Sequence, residues 1–312
     1  MNAIQVFVTH YVSNDTLELN DVLVEEIQYL EHTTKYPHET TVVYYAEGGS
    51  ADELFDRLPK NVKIIKNDRA GRNDIQPSLR NKVVELAEDG KYFILLHNDI
   101  RVTVGWLDNL GIEMKNSEEK YGKGNCVITP RYIPYWYIGS NGERIENNNF
   151  RAKYPEFWKE FQDNVCCLNI DKMRDFCNNW KFKFDGINVY SDSTPNCQYV
   201  TDDAHQLMMF MGTKKCFNDI GECDESFVGI NYDDQDWGIR ALLADKKNLQ
   251  SQTCLIGHVQ GLSFCHKNIS TKRSCNDNVF INKWGRALFD EMQTGDLWTR
   301  LHNEQNQKLR GV

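Results

Sequence analysis

Between positions 231 and 237 the chain reads Asn-Tyr-Asp-Asp-Gln-Asp-Trp, which places carboxylates at Asp233, Asp234 and Asp236. Acids this close raise one another's pKa, which suits a general base working near neutral pH. They also suit the start of a helix, where the dipole favours negative charge, but the dipole asks for only one or two. The segment just before, Gly221-Glu222-Cys223-Asp224-Glu225, supplies further acids at Asp224 and Glu225. Asp233, Asp234 and Asp236 are therefore candidates for acid–base work, with Asp224 and Glu225 as neighbouring acids that could hold hydroxyl groups. Trp237 is a candidate for ring stacking on a ligand, although a Trp at a helix start more often serves the core. A second cluster, His97-Asn98-Asp99, follows the apolar run KYFILL. The hard oxygens of Asp99 suit Mg²⁺ or Mn²⁺, ions that also bridge diphosphate oxygens. The competing use of Asp99 is to cap a turn. His258, in Gly257-His258-Val259-Gln260-Gly261-Leu262-Ser263, is the candidate second ligand.

These groups need elements to hold them. Residues 4–10, 40–45, 62–66 and 91–96 read as strands, and residues 15–32, 51–58, 78–88 and 106–115 read as helices between them. Strands alternating with helices predict an α/β fold with a mostly parallel sheet and both faces covered. Ligands in such sheets bind at the carboxyl ends of strands, where His97-Asn98-Asp99 falls. From residue 122 to about 198 the pattern breaks into polar turns and aromatic patches. A helix over 237–244, a strand over 249–258 and a single helix over 278–292 are expected after it. No repeat or low-complexity linker divides the chain, so one composite domain is the reading.

The chain has 312 residues, 26% of them charged, and a formal net charge of −9. That balance argues against a nucleic-acid binder, which needs clustered Lys and Arg. No run approaches the roughly 20 apolar residues of a membrane span. The first ten residues do not read as a signal peptide. The ten cysteines form no CxxC pair, so free thiols in a reducing compartment are expected. The expected location is cytoplasmic, with peripheral attachment to a membrane left open.

In order along the chain, four elements resemble the family 2 glycosyltransferases of the GT-A fold, especially the rhamnosyltransferase-like branch. They are LLHNDIRVTVGWL (Leu95 to Leu107), Gly221 to Glu225, Asp233 to Asp236, and His258 with Gly261 and Ser263. Lys283-Trp284-Gly285 adds a fifth point, and the resemblance runs from about Ile4 to Gly285. It implies a GT-A-type, Rossmann-like sheet and an inverting, metal-dependent transfer of a sugar from a nucleotide-diphosphate-sugar donor (UDP-, dTDP- or GDP-linked) to a glycan or other hydroxyl acceptor. The cofactor implied is a divalent cation, Mn²⁺ or Mg²⁺, held by Asp99 and His258, with Asp234 as base. Residues 1–120 would form the nucleotide-sugar-binding half, 121–290 the acceptor-binding and catalytic half, and 291–312 a C-terminal tail. Thr9, His10 and Tyr11 would lie in a first loop at the nucleotide base, with Glu47 near base or ribose. Arg72 and Arg80 would meet phosphate or ribose, a solvated helix face being the alternative for each, and Asn98 would also touch the donor. The chain departs from the family where His97 replaces an acid and Asp233 replaces a Glu. Two other readings stay open: a non-catalytic nucleotide-sugar or carbohydrate-binding protein on the same fold, and a transferase acting on modified DNA.

Overall fold

The computed structural model describes residues 3–13, 17–47, 51–69, 75–98, 100–102, 105–134, 136–138, 144–146, 198–199, 209–227, 232–258, 273–294, 296–297, 300–301 and 303–304. Apolar residues alternate along β1 (Ile4–Ser13), so that Val6 and Val8 enter one core and Phe7 enters the other. The same period of two, the mark of a strand buried on both faces, recurs in two further strands. In β4 (Tyr92–His97), Ile94 and Leu96 face one way and Phe93 and Leu95 the other; in β10 (Met209–Thr213), Met209 and Met211 oppose Phe210.

The remaining elements, in chain order, are α1 (Leu17–Thr33), β2 (His38–Glu47), α2 (Asp52–Phe55), β3 (Lys63–Lys66), α3 (Ile75–Leu86), β5 (Ile100–Val102), α4 (Trp106–Tyr121), β6 (Cys126–Pro134), the hairpin β7 (Trp136–Ile138) and β8 (Arg144–Glu146), β9 (Gln198–Tyr199), α5 (Lys214–Ile220), α6 (Asp233–Leu243), β11 (Lys247–His258), α7 (Arg273–Trp284) and α8 (Arg286–Thr294). The main sheet has the order β3-β2-β1-β4-β10-β6-β11-β5, with β9 also pairing β11. Strands β1 to β4 are parallel, and β6 pairs β11 in parallel. Because β10 runs antiparallel to both β4 and β6, all six of these strands point the same way.

Helices α1 and α4 cover one face through Leu23, Ile27, Trp106 and Leu110. Helices α3, α5 and α6 cover the other through Leu79, Val83, Phe217 and Trp237. The far side of α6 presents Ile239 and Leu242 to Phe280 of α7 and to Phe289 and Met292 of α8.

Several expectations need correction. The stretch after residue 122 is not irregular throughout: β6 is a buried strand of the main sheet, with Val127 and Ile128 both fully enclosed. Helix α6 begins at Asp233 rather than at 237, so the acid cluster is its first turn. The single helix expected over 278–292 is two, broken at Gly285, whose φ of 86° is left-handed backbone. The boundary proposed at 290/291 falls inside α8, and Leu297 and Leu301 beyond it are buried in the third cluster. Of the ten cysteines, Cys126, Cys216, Cys223 and Cys254 are free and buried.

Candidate active site

A helix leading into an upward strand must start at that strand's carboxyl edge, so α6, which feeds β11, begins at the ligand-binding edge of the sheet. The ring of Trp237 stacks near Phe210 (centroids 6.5 Å, interplanar angle 15°), and Phe210 pairs with Leu95 in β4. One helical turn before Trp237, about 5.4 Å, lies Asp233. The acids therefore stand at the level where β4 ends. Tyr232 enters the helix with φ 68°, left-handed backbone that a non-glycine residue rarely adopts.

The three acids of this turn have different surroundings. The Asp233 side chain is 7% exposed and accepts from Arg80 of α3, itself 4% exposed. Asp234 is 25% exposed, with Oδ1 3.1 Å from the same guanidinium. Burial works against the Arg80 charge, but Asp234 and Asp233 outweigh it and raise its pKa. Arg80 is therefore neither a solvated helix residue nor a free phosphate ligand; its charge is spent on the acid pair. Asp236 is wholly enclosed. It accepts from Arg240 Nε at 3.0 Å and from Trp284 Nε1 at 2.9 Å, and it pairs with Lys283 Nζ at 2.8 Å. It ties α6 to α7.

The Gly221–Glu225 segment is pinned from α3. Asn81 Oδ1 accepts from the Cys223 amide at 2.7 Å, and Asn81 Nδ2 donates to the Cys223 carbonyl at 3.0 Å and to Glu225 at 2.8 Å. Asp224 accepts from Lys283 Nζ and from Ser226. Burial pushes the Asp224 carboxyl up, but Lys283 and Ser226 outweigh it and hold it at about 2. Asp224 and Glu225 thus build the loop. Trp237 is fully buried and stacks on Phe217 (centroids 4.7 Å), so it packs the core and cannot stack on a sugar.

At the donor end, Thr9, His10 and Tyr11 belong to β1 rather than to a loop. Thr9 Oγ1 donates to the Leu96 carbonyl at 3.3 Å. His10 is buried, with Nε2 2.9 Å from Asn20 Oδ1 and Nδ1 3.0 Å from Asn98 Nδ2. Burial holds its pKa down at about 4, against the Asn20 bond, so the ring is neutral, donating to Asn20 and accepting from Asn98. His10 and Asn98 therefore join β1, α1 and the turn after β4. Tyr11 is half-buried and stacks on Tyr45 (6.1 Å, 16°) at the carboxyl ends of β1 and β2. Glu47 ends β2 opposite Ser13, and its side chain lies outside the described residues. Arg72 and Asp99 also lie outside them, as does the side chain of His258.

The backbone still relates the last two. Strand β11 pairs antiparallel with β5, setting His258 opposite Ile100, the residue after Asp99 in the chain. Three residues of chain span at most about 11 Å, so Ile100, and with it the end of β11, stays near the carboxyl end of β4 at His97. The register shift in β11 between Gln250 and Leu255 redirects its last residues to that meeting. Among the described residues no three His, Cys, Asp or Glu side chains form a cation cluster.

The Arg80–Asp233 and Lys283–Asp236 contacts were not expected. Their partners lie 153 and 47 residues apart in the chain (233 − 80 and 283 − 236), and no local spacing reports them.

An α/β layout with this strand order and a carboxyl-edge acid turn is the GT-A, Rossmann-like fold. No protein-family model matches the chain, and no curated protein sequence does. Among solved structures, it is similar to GalNAc-T7 with UDP, GalNAc and Mn²⁺, at a TM-score of 0.50 and 12% identity over 82% of this chain. The chain spans 44% of the length of that protein, and the likeness is one of fold. The glucosyl-3-phosphoglycerate synthase of Mycobacterium tuberculosis, with Mn²⁺, UDP and glucosyl-3-phosphoglycerate, overlays more loosely. Its TM-score is 0.39 at 9% identity, covering 82% of this chain and 70% of that one. No helix among the described residues is long and apolar enough to cross a membrane.

Proposed function

We propose that this chain is a metal-dependent glycosyltransferase that moves a sugar from a nucleotide-diphosphate donor to an acceptor hydroxyl, with inversion at the anomeric carbon. The observation that carries this reading is Asp234. Of the three acids in the first turn of α6, it alone is not enclosed, at 25% exposure, and α6 opens at the carboxyl edge of the sheet.

Asp234 takes the proton of the acceptor hydroxyl as its oxygen bonds to the anomeric carbon. The bond from that carbon to the diphosphate oxygen breaks, and its electron pair leaves with the diphosphate. Direct displacement inverts the centre. Asp99 and His258 would hold Mn²⁺ or Mg²⁺, since a carboxylate and an imidazole suit such ions; the pairing of His258 with Ile100 supports this choice. A bound cation supplies charge neutralisation at the departing diphosphate. Tyr11, Tyr45 and Glu47, at the ends of β1 and β2, mark the donor-base end of the edge. The GalNAc-T7 structure, which holds UDP and Mn²⁺ on this fold, supports the donor class and the cation.

The test is a panel of UDP-, dTDP- and GDP-sugars with purified protein and Mn²⁺, scored by nucleotide release with and without EDTA. Release from one donor that EDTA abolishes is expected. Metal-dependent nucleotide binding without release would favour a binding protein, and no metal-dependent binding at all would overturn the proposal.

A further inference from the structure

We propose, resting on the assignment of Asp234 as base, that Arg80 is its positioning residue: one buried guanidinium, anchored on Asp233, that orients Asp234 and holds it ionised. Arg80 reaches both acids from α3, with Asp234 Oδ1 at 3.1 Å. A purely structural ion pair needs one carboxylate for one guanidinium, and Asp233, 7% exposed, already meets that need. The second, more open carboxylate is left facing the edge while held by the same cation. The groups facing Asp234 include Arg80 from α3, Asp233 on its own helix and the buried Cys223 thiol from the pinned segment, pushed up to about 12 by burial and so neutral.

The charge count explains the arrangement. Two carboxylates and one guanidinium sum to −1. When Asp234 accepts the acceptor proton the sum becomes zero, and Asp233 still compensates Arg80. No stage leaves an unpaired buried charge, which is costly. With Asp233 absent, protonating Asp234 would strand the guanidinium.

The test uses the full chain with Arg80→Met, Arg80→Lys and Asp233→Asn. Three readouts are taken: the acid limb of kcat/KM against pH, UDP binding in the presence of Mn²⁺, and the carboxyl NMR titration of Asp234. Its resonance is identified by loss in Asp234→Asn. An opposite charge in contact moves a carboxyl by about 1–3 pH units. Arg80→Met is therefore expected to move both the limb and the NMR midpoint up by about one unit or more. Arg80→Lys should recover at least half of that shift, and Asp233→Asn should move the midpoint down. UDP binding should stay within about twofold, since the contact lies at the acceptor side (1.4 kcal/mol being tenfold). A midpoint that does not move in a folded Arg80→Met chain would overturn the proposal. So would a loss of UDP binding matching the loss of kcat/KM, which would make Arg80 a donor contact. If Arg80→Met fails to fold, the Arg80→Lys and Asp233→Asn shifts decide it. A chain that transfers no sugar from any donor, yet shows the NMR shifts, would sink the functional reading while leaving the ion-pair relation intact.

Discussion

Asp234 and Asp236 stand two residues apart on one helix, yet they occupy different kinds of site. Asp236 is wholly enclosed and accepts from Arg240, Trp284 and Lys283, donors drawn from its own helix and from α7. Asp234 is a quarter exposed and shares one guanidinium with its neighbour. A helix turns 100° per residue, so a step of two carries a side chain from the α7 side to the α3 side. Identity of residue therefore says little about role. What separates the two is burial: a substrate cannot reach Asp236, whereas Asp234 is a quarter exposed.

The largest effect that would sharpen this contrast is on rate. Asp234→Asn keeps the shape and removes the proposed base, so transfer should fall by about 10²–10⁴-fold. Thermal unfolding should change little and UDP binding in Mn²⁺ should persist. Equal loss of binding and transfer would show that the base is misassigned. Asp236→Ala should do the reverse. It removes the acceptor of Arg240 Nε and Trp284 Nε1 and one of the two carboxylates on Lys283, and it opens a buried hole, at a cost of about 3–5 kcal/mol in unfolding free energy, measured by urea titration. A stability cost for Asp234→Asn as large as that for Asp236→Ala would erase the contrast.

A smaller effect concerns Lys283, which bridges Asp236 and Asp224 from a partly exposed position. Lys283→Met should cost about 1–2 kcal/mol at neutral pH, discounted for its exposure. Its pH signature is more specific. In the folded chain Asp224 stays ionised down to about pH 2, against roughly 3.9 for an unfolded carboxyl. That contribution is full above about pH 4 and is lost as pH falls toward 2. Stability measured over this interval should fall less steeply in Lys283→Met, and an unchanged slope would count against the bridge.

The first half of the sheet was legible because each strand carries its own signature. The run KYFILL is apolar on both faces, and β1, β2, β3 and β4 follow one another in the chain with a helix between each pair. The second half is assembled from distant pieces. Strand β10 slots between β4 and β6 although it lies more than a hundred residues after β4, so β6, with Thr129, Pro130 and Arg131 breaking its apolar run, did not read as a central strand. The acid turn was visible as an unusual density of Asp. Which of its members stays partly exposed was not, because that depends on Arg80, Lys283 and Trp284, whose approach is a matter of tertiary packing. The strand read over residues 4–10 already held Thr9 and His10, and only the resemblance put them in a loop; β1 runs three residues further, to Ser13.

The proposal stands or falls on whether Asp234 faces the same cleft as the proposed cation ligands Asp99 and His258. A crystal structure of the chain with UDP and Mn²⁺ tests it most directly. The account predicts Mn²⁺ on the diphosphate, ligated by Asp99 and His258, with the Asp234 carboxylate across the same cleft and open to an acceptor. A metal bound elsewhere, or an Asp234 walled off from the diphosphate, would contradict it.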